Sequence, residues 1–366
     1  MKVLFDHQIF SEQKYGGISR YFSEILKYGE SDTEVLLELS TIFSNNYYLK
    51  KYFPNRSSFL PNLEFRGKRK LLSIINQYYS IYMLNKGFFD VFHPTYYNPY
   101  FIKYLNKKPY VITVHDLIYE IFKEDTINHN KIRAFMKKTI ENATHIIAIS
   151  KNTKKDILKF YSVPENKISV IYHGNKIINN SNIISNKYKK NKKFFLYIGK
   201  RGGYKNFTSL VYAIHNILIK ENIFLICIGG GPQNANEIAL LKRLNVERNV
   251  IFLPKIKDDE LGFYYSNAIS LIYPSKYEGF GLPILEAMSF GCPVLLSNSS
   301  VFPEIAGDAG LYFDPNKIYS ISEAVNNILY SVALRDSLVK KGLARVKMFN
   351  WMDTYYKTKE VYRKII

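Results

Sequence analysis

Short runs of β-branched and aromatic residues alternate with amphipathic segments along the whole chain, the pattern of parallel strands covered by helices. In the first half the strands are predicted at 2–6, 34–39, 90–93, 110–115, 145–150 and 168–173. In the second they are predicted at 194–199, 223–229, 250–254, 270–274, 293–297 and 310–313. Between the halves, 174–193 is polar, dense in Asn and Lys and without periodicity, and reads as a linker. Helical periodicity returns near 320–330, 333–348 and 350–366, the last with Trp351, Tyr355, Tyr356 and Val361 forming an aromatic face that has to be buried. The expected organisation is a first domain over 1–173, a linker over 174–193 and a second domain over 194–349, with the final helix packing back on the first domain.

A length of 366 residues agrees with two domains, each large enough for its own core. The 22% charged and 47% hydrophobic fractions are those of a globular protein, and no apolar run approaches the roughly 20 residues of a membrane span. The start Met1-Lys-Val-Leu-Phe-Asp6 reads directly as a strand, without the zones of a secretory signal, so a cytoplasmic location is expected, with the inner face of a membrane as a peripheral site. Cys227 and Cys292 lack metal-ligand spacing and read as small buried apolar residues. The formal charge of +20 favours anionic partners: nucleotide-sugars, diphosphate lipids, acidic membrane surfaces or nucleic acid. Richness in Asn, Ile and Tyr points to an AT-rich genome that inflates Lys, which weakens the charge as a clue.

The densest chemistry lies in Tyr273-Pro-Ser-Lys-Tyr-Glu278-Gly-Phe-Gly-Leu-Pro-Ile-Leu-Glu286-Ala-Met, which joins a strand to a helix. Pro283 suits a first helical turn, and Gly279 and Gly281 permit close backbone approach. Amides from Phe280 to Leu282 are expected at the helix start, where unpaired N–H groups and the helix dipole bind anions such as a diphosphate. A purely structural turn uses Gly and Pro in the same way but has no need of an acidic residue on each side. The segment resembles the paired-glutamate motif of retaining group 1 glycosyltransferases, of the glycogen-synthase and bacterial mannosyltransferase type. That resemblance implies an α/β fold of GT-B architecture, two Rossmann-like domains facing across a cleft. It also implies that Glu286 hydrogen-bonds the nucleotide's ribose, that Glu278 sits beside the transferring sugar, and that the backbone of Phe280, Gly281 and Leu282 holds sugar and phosphate oxygens. The competing reading makes both glutamates helix-start charges.

After the strand 194–199, Lys200-Arg201-Gly-Gly-Tyr-Lys205-Asn206 places bases and glycines before a helix, an arrangement suited to a departing diphosphate. In similar enzymes a basic pair here clamps the phosphates, which assigns Arg201 and Lys205; Lys200 competes with Arg201, and a solvated basic loop is the plain alternative. Gly229-Gly-Gly-Pro232 ends the next strand, and Gly230 falls where the family's turn lines the nucleotide pocket. By resemblance alone the base packs near Pro254-Lys-Ile256.

In the first half, Tyr15-Gly16-Gly17-Ile18 opens a helix after the first strand, and similar enzymes use such a Gly-Gly to reach the donor diphosphate; a tight turn explains the glycines equally well. His115-Asp116 ends the strand 110–115 at the sheet edge where ligands of α/β domains bind. The resemblance favours His115 at the sugar, with Asp116 orienting it or accepting a proton; a buried, mutually satisfied pair is the alternative. Residues 43–72 mix Tyr47, Tyr48, Tyr52, Phe53 and Phe59 with Lys50, Lys51, Arg56, Arg66, Lys68, Arg69 and Lys70, a composition suited to an anionic membrane interface or to a solvated excursion. Lys151, Lys154, Lys155 and Lys159 add a basic helix face.

The resemblance implies an expected reaction, retaining glycosyl transfer from a nucleoside diphosphate sugar, and its likeness to mannosyltransferases puts GDP-mannose before a UDP-sugar. The acceptor is a hydroxyl of a growing glycan or lipid-linked oligosaccharide in surface polysaccharide synthesis. The nucleotide-sugar is a substrate, so no cofactor is expected, and the lack of an Asp-x-Asp signature predicts no metal requirement. Same-face attack and a glycosyl-enzyme intermediate are both open. A hydrolysing nucleotide-sugar epimerase of the same two-domain plan is the rival enzyme class. A basic nucleic-acid-binding protein is a second rival, but it lacks a recognition module and leaves both glutamates unexplained.

Overall fold

The computed structural model describes residues 1–55, 58–60, 63–123, 129–175, 193–254, 256 and 258–366. The expected linker apart from its ends, Arg56, and Lys255 of the expected base-packing segment lie outside the described residues. The chain forms two compact units, Met1–Gly174 with Trp351–Ile366, and Asn175–Asn350. Among the described residues no helix is long and apolar enough to cross a membrane.

In the first unit the strands are β1 (Lys2–Phe5), β2 (Leu36–Leu39), β3 (Val91–His93), β4 (Val111–Val114), β5 (His145–Ala148) and β6 (Ile168–Val170). They pair in parallel as β2-β1-β3 and β4-β5-β6, and the two groups are joined where Phe92 bridges Tyr110. β4 and β5 are buried at every position, as strands covered on both faces must be. The helix Trp351–Lys364 belongs to this unit. Its Tyr362 hydroxyl lies 2.6 Å from Nδ1 of His93, Thr354 donates to the Tyr172 carbonyl at 2.9 Å, and Lys359 binds Asp32 at 2.6 Å. Trp351, Tyr355 and Val361 are buried, whereas Tyr356 is exposed because it sits one residue, about 100° of helical turn, off that face.

The second unit holds β7 (Phe194–Ile198), β8 (Phe224–Ile228), β9 (Val250–Leu253), β10 (Ser270–Tyr273), β11 (Val294–Ser297) and β12 (Gly310–Phe313). All pair in parallel in the order β12-β11-β10-β7-β8-β9. The winding therefore reverses between β7 and β10, the place where open α/β sheets bind ligands beyond their carboxyl ends.

Most observed strands are shorter than their apolar runs. The run 110–115, for example, pairs only over Val111–Val114. Apolar character continues past the last ladder bond because the first loop residues are still largely buried, which leaves Asp6, His115 and Gly199 just beyond the sheet edge.

Candidate functional site

The loops after β7 and β10 meet at that reversal. The Lys276 N–H donates to the Tyr204 carbonyl at 2.8 Å, so the two loops share a backbone hydrogen bond. Across it Lys205 Nζ meets Glu278 Oε1 at 2.5 Å, with the side chains only 15% and 11% exposed. Lys205 also stands over the rings of Tyr204 and Tyr273, at 5.2 and 5.8 Å from their centroids. The Glu278 backbone is fixed by Ser300, whose hydroxyl accepts from its N–H at 3.2 Å and donates to its carbonyl at 2.8 Å. Ser300 holds a left-handed φ of 56°, a conformation costly for a residue with a Cβ and typical of over-determined sites. The helix Leu282–Ser289 then starts after Gly281 (φ 91°), with no side-chain cap and with Pro283 in its first turn. The left-handed φ favours glycine at 281, where a Cβ would also press on the end of the Ile284 side chain at 2.8 Å. The ring of Phe280 is buried beside Phe349.

Glu286 lies in this helix, with Oε2 accepting from the Tyr265 hydroxyl at 2.9 Å. Tyr265 is fully buried and stacks on Phe290; burial, then the Glu286 charge, pushes its pKa well up and keeps it a donor. Tyr273 stands in the same relation to Glu278, its hydroxyl raised first by burial and then by that carboxylate. Tyrosines eight residues apart thus each support one of two glutamates eight residues apart. The equal spacing is visible in the sequence, but only the fold assigns it.

Arg201, expected at the diphosphate, is engaged within the second unit. Its side chain is 2% exposed and turned inward. Nε donates to Glu237 at 2.9 Å, Nη1 to the Gly229 carbonyl at 2.8 Å, and Nη2 to the carbonyls of Gly231 and Pro232 at 2.9 and 3.0 Å. The guanidinium also lies 4.8 Å over the Phe252 ring. So occupied, it pins the glycine turn after β8 to the loop after β7, and the exposed base of that loop is Lys200. Gly230 is part of the same joint: at φ 78°, a Cβ there would meet Arg201 Nη1 and the Gly199 carbonyl, both at 2.7 Å. A cavity of about 590 Å³ lies behind this joint, lined by Gly202, Asn206, Tyr212, Asn234 and Arg243 among others, and none of Lys205, Glu278 or Glu286 lines it. Glu237 was missed in the sequence, although Asn234 and Glu237 have the spacing of the capping box they form.

In the first unit, Gly17 is the exposed first residue of the helix Gly17–Gly29. A Cβ on the preceding Gly16 would meet Gln13 Oε1 at 2.1 Å and displace that carboxamide, whose oxygen accepts from the Ser19 N–H at 3.3 Å. Asp116 accepts from the Ile118 N–H at 3.1 Å. His115 is buried, edge-on to Tyr21 and His173. Burial lowers its pKa to about 3, so the imidazole is neutral near pH 7, the form in which it can offer a hydrogen bond. Asp6, not singled out from the sequence, is fully buried and accepts from the N–H and hydroxyl of Thr95, both at 2.8 Å, and from Gln8 Nε2 at 2.7 Å, tying the loops after β1 and β3 together.

The buried histidines make acid the weak side of this unit. Burial lowers His93 to about 3 and His7 to about 4, and sends His173 well down as well. These residues fold neutral, while the unfolded chain takes up protons below a pH of about 6.5. Stability is therefore full above about pH 6.5 and falls with pH toward the folded values, by up to about 1.4 kcal/mol per pH unit for each histidine. Urea midpoints measured between pH 7.5 and 5 should fall steadily, about as expected for several histidines; a flat profile would contradict this packing.

The model of the family Glycosyl transferases group 1 matches residues 180–345, and that of Glycosyltransferase Family 4 matches 16–175. The O-antigen chain mannosyltransferase RfbU of Salmonella typhimurium is 33% identical over 218 residues, 59% of this chain and 60% of that one. O-antigen chain mannosyltransferase B of Escherichia coli is 29% identical over 271 residues, covering 69% and 70%. Among solved structures, Anabaena HepE in complex with UDP-glucose superposes with a TM-score of 0.74 at 17% identity over the full length of both chains. With one model matched on each unit and a glutamate pair held where the second sheet reverses, the chain belongs to the group 1 glycosyltransferases and has their GT-B fold.

Proposed function

We propose that the chain transfers a glycosyl group with retention and without a metal ion, from GDP-mannose or, second, a UDP-sugar, to a hydroxyl of a growing glycan or lipid-linked oligosaccharide of a surface polysaccharide. The observation that carries this reading is the Lys205–Glu278 ion pair beside an uncapped helix start. Lys205, Lys200 and the amides of Phe280, Gly281 and Leu282 offer fixed positive charge to a diphosphate, whose own charge grows as the sugar bond breaks. On donor entry the Lys205 ammonium passes from Glu278 to phosphate oxygens, and the carboxylate turns to the sugar. Glu286, oriented by Tyr265, takes the ribose hydroxyls. Gly17, His115 and Asp116 are the candidates on the first unit. Mannose is supported by the names of RfbU and mannosyltransferase B, and a UDP-sugar by the HepE complex.

A thermal-shift panel of nucleotide-sugars tests the donor. At a hundredfold excess over Kd the cognate donor stabilises by about 2.7 kcal/mol, well within reach of the method. Glu286→Ala should weaken that donor about tenfold or more, the loss of one charged hydrogen-bonding group. Incubation with the acceptor and EDTA should give a product with the donor's anomeric configuration at an undiminished rate. Free epimerised sugar without transfer, or no shift with any nucleotide-sugar, would overturn the reading.

A further inference from the structure

The helix Lys68–Lys86 is built inside out. Its inward face carries Leu72, Asn76, Ser80 and Leu84, and the polar members anchor it. Asn76 accepts from the N–H groups of Ile42 and Phe43 at 3.0 and 3.2 Å and donates to Ser11 Oγ and the Phe43 carbonyl at 3.0 and 2.9 Å. Ser80 donates to the Ser40 carbonyl at 2.8 Å. The outward face is apolar: Leu71, Ile74, Tyr78 and Tyr82 are 42%, 43%, 72% and 52% exposed. A surface helix ordinarily shows the reverse pattern, and a continuous exposed apolar stripe marks an interaction face. At 1.5 Å per residue this stripe runs for about 16 Å.

The charges around the stripe say what covers it. Residues 66–86 contain no Asp or Glu. Arg66, Arg69 and Lys70 are exposed at one end, and Lys86 at the other sits 4.6 Å over the Tyr82 ring. Lys68, expected among the surface bases, is instead buried, donating to the carbonyls of Leu60 and Leu63 at 2.8 and 2.6 Å. A second copy of this face would bring like charges together. An anionic bilayer accepts all of it: tyrosines and aliphatic side chains enter the acyl boundary, and long basic side chains reach the headgroups. We propose that the outward face of Lys68–Lys86 lies in the plane of an anionic lipid surface. This surface stands apart from the donor chemistry and is tested without it.

The test is flotation of the full chain with vesicles of phosphatidylcholine containing about one third phosphatidylglycerol, the composition that supplies the negative surface. Wild type floats with these and not with pure phosphatidylcholine. Ile74→Glu with Tyr78→Glu lowers the bound fraction about tenfold or more at an unchanged melting temperature, as expected for charges placed in an interfacial stripe. Arg69→Gln with Lys70→Gln, which leaves the apolar stripe intact, lowers it severalfold and flattens its salt dependence. Failure of wild type to float, or flotation of either variant as wild type, overturns the proposal. So does a lipid-free dimer that Ile74→Glu with Tyr78→Glu dissociates while wild type ignores vesicles.

Discussion

Glu278→Gln should lower turnover by about two to three orders of magnitude while donor affinity changes less than about fivefold, because in the proposed reaction its carboxylate acts on the reacting sugar and not on the nucleotide. The substitution preserves shape and removes the charge that Lys205 holds at 2.5 Å. Lys205 then keeps its contacts with the Tyr204 and Tyr273 rings. The companion Lys205→Ala should show the opposite split, losing donor affinity first, because an ammonium facing the diphosphate binds the ground state as well as the departing group. If the pair works as a unit, the double variant loses less than the sum of the two. Calorimetric donor affinity and steady-state turnover separate these outcomes. Turnover for Glu278→Gln within threefold of wild type would sink the assignment.

Which parts of this site the sequence announces follows from how local the physics is. The strand-to-helix turn at Gly281 and Pro283 is a local device, and its residues carry its signature. The alternation of strands and helices is local as well, so all twelve strands were legible, with their ends misread where buried loop residues prolong the apolar run. The partner of Glu278 is seventy-three positions away, and Lys205 was singled out for its own loop and not for that contact. Tyr265 and Tyr273 look like any aromatic core residues until the fold turns their hydroxyls on the glutamates. The internal bonds of Arg201 are hidden from the sequence for a related reason. A base in a glycine loop reads as a free cation, and only the return of Glu237 and three carbonyls from the next strand-helix unit shows it to be internal. The helix Lys68–Lys86 shows the same limit. Composition marks 43–72, which reaches only the start of this helix, as basic and aromatic, and which face of the helix is outward depends on Asn76 and Ser80 finding their partners in the loop after β2.

Arg201→Ala should destabilise the second unit by about 3–5 kcal/mol, the cost of breaking a buried ion pair from one side. Glu237 is 8% exposed and would be left without its main partner. The carbonyls of Gly229, Gly231 and Pro232 would each lose a donor in the same step. Against a total stability of about 5–15 kcal/mol this is enough to populate unfolded chain at moderate temperature. Arg201→Lys should recover only part of it, because an ammonium cannot reproduce the planar fork that reaches a carboxylate and several carbonyls together. Lys200→Ala is the control that separates structure from binding. Its side chain is exposed, so stability should stay within about 0.5 kcal/mol of wild type. Donor affinity should fall by about tenfold if Lys200, and not Arg201, faces the diphosphate. Urea unfolding of the three variants beside donor titration decides the matter. An Arg201→Ala chain as stable as wild type but unable to bind donor would return Arg201 to the phosphate and dissolve the joint described for Gly230.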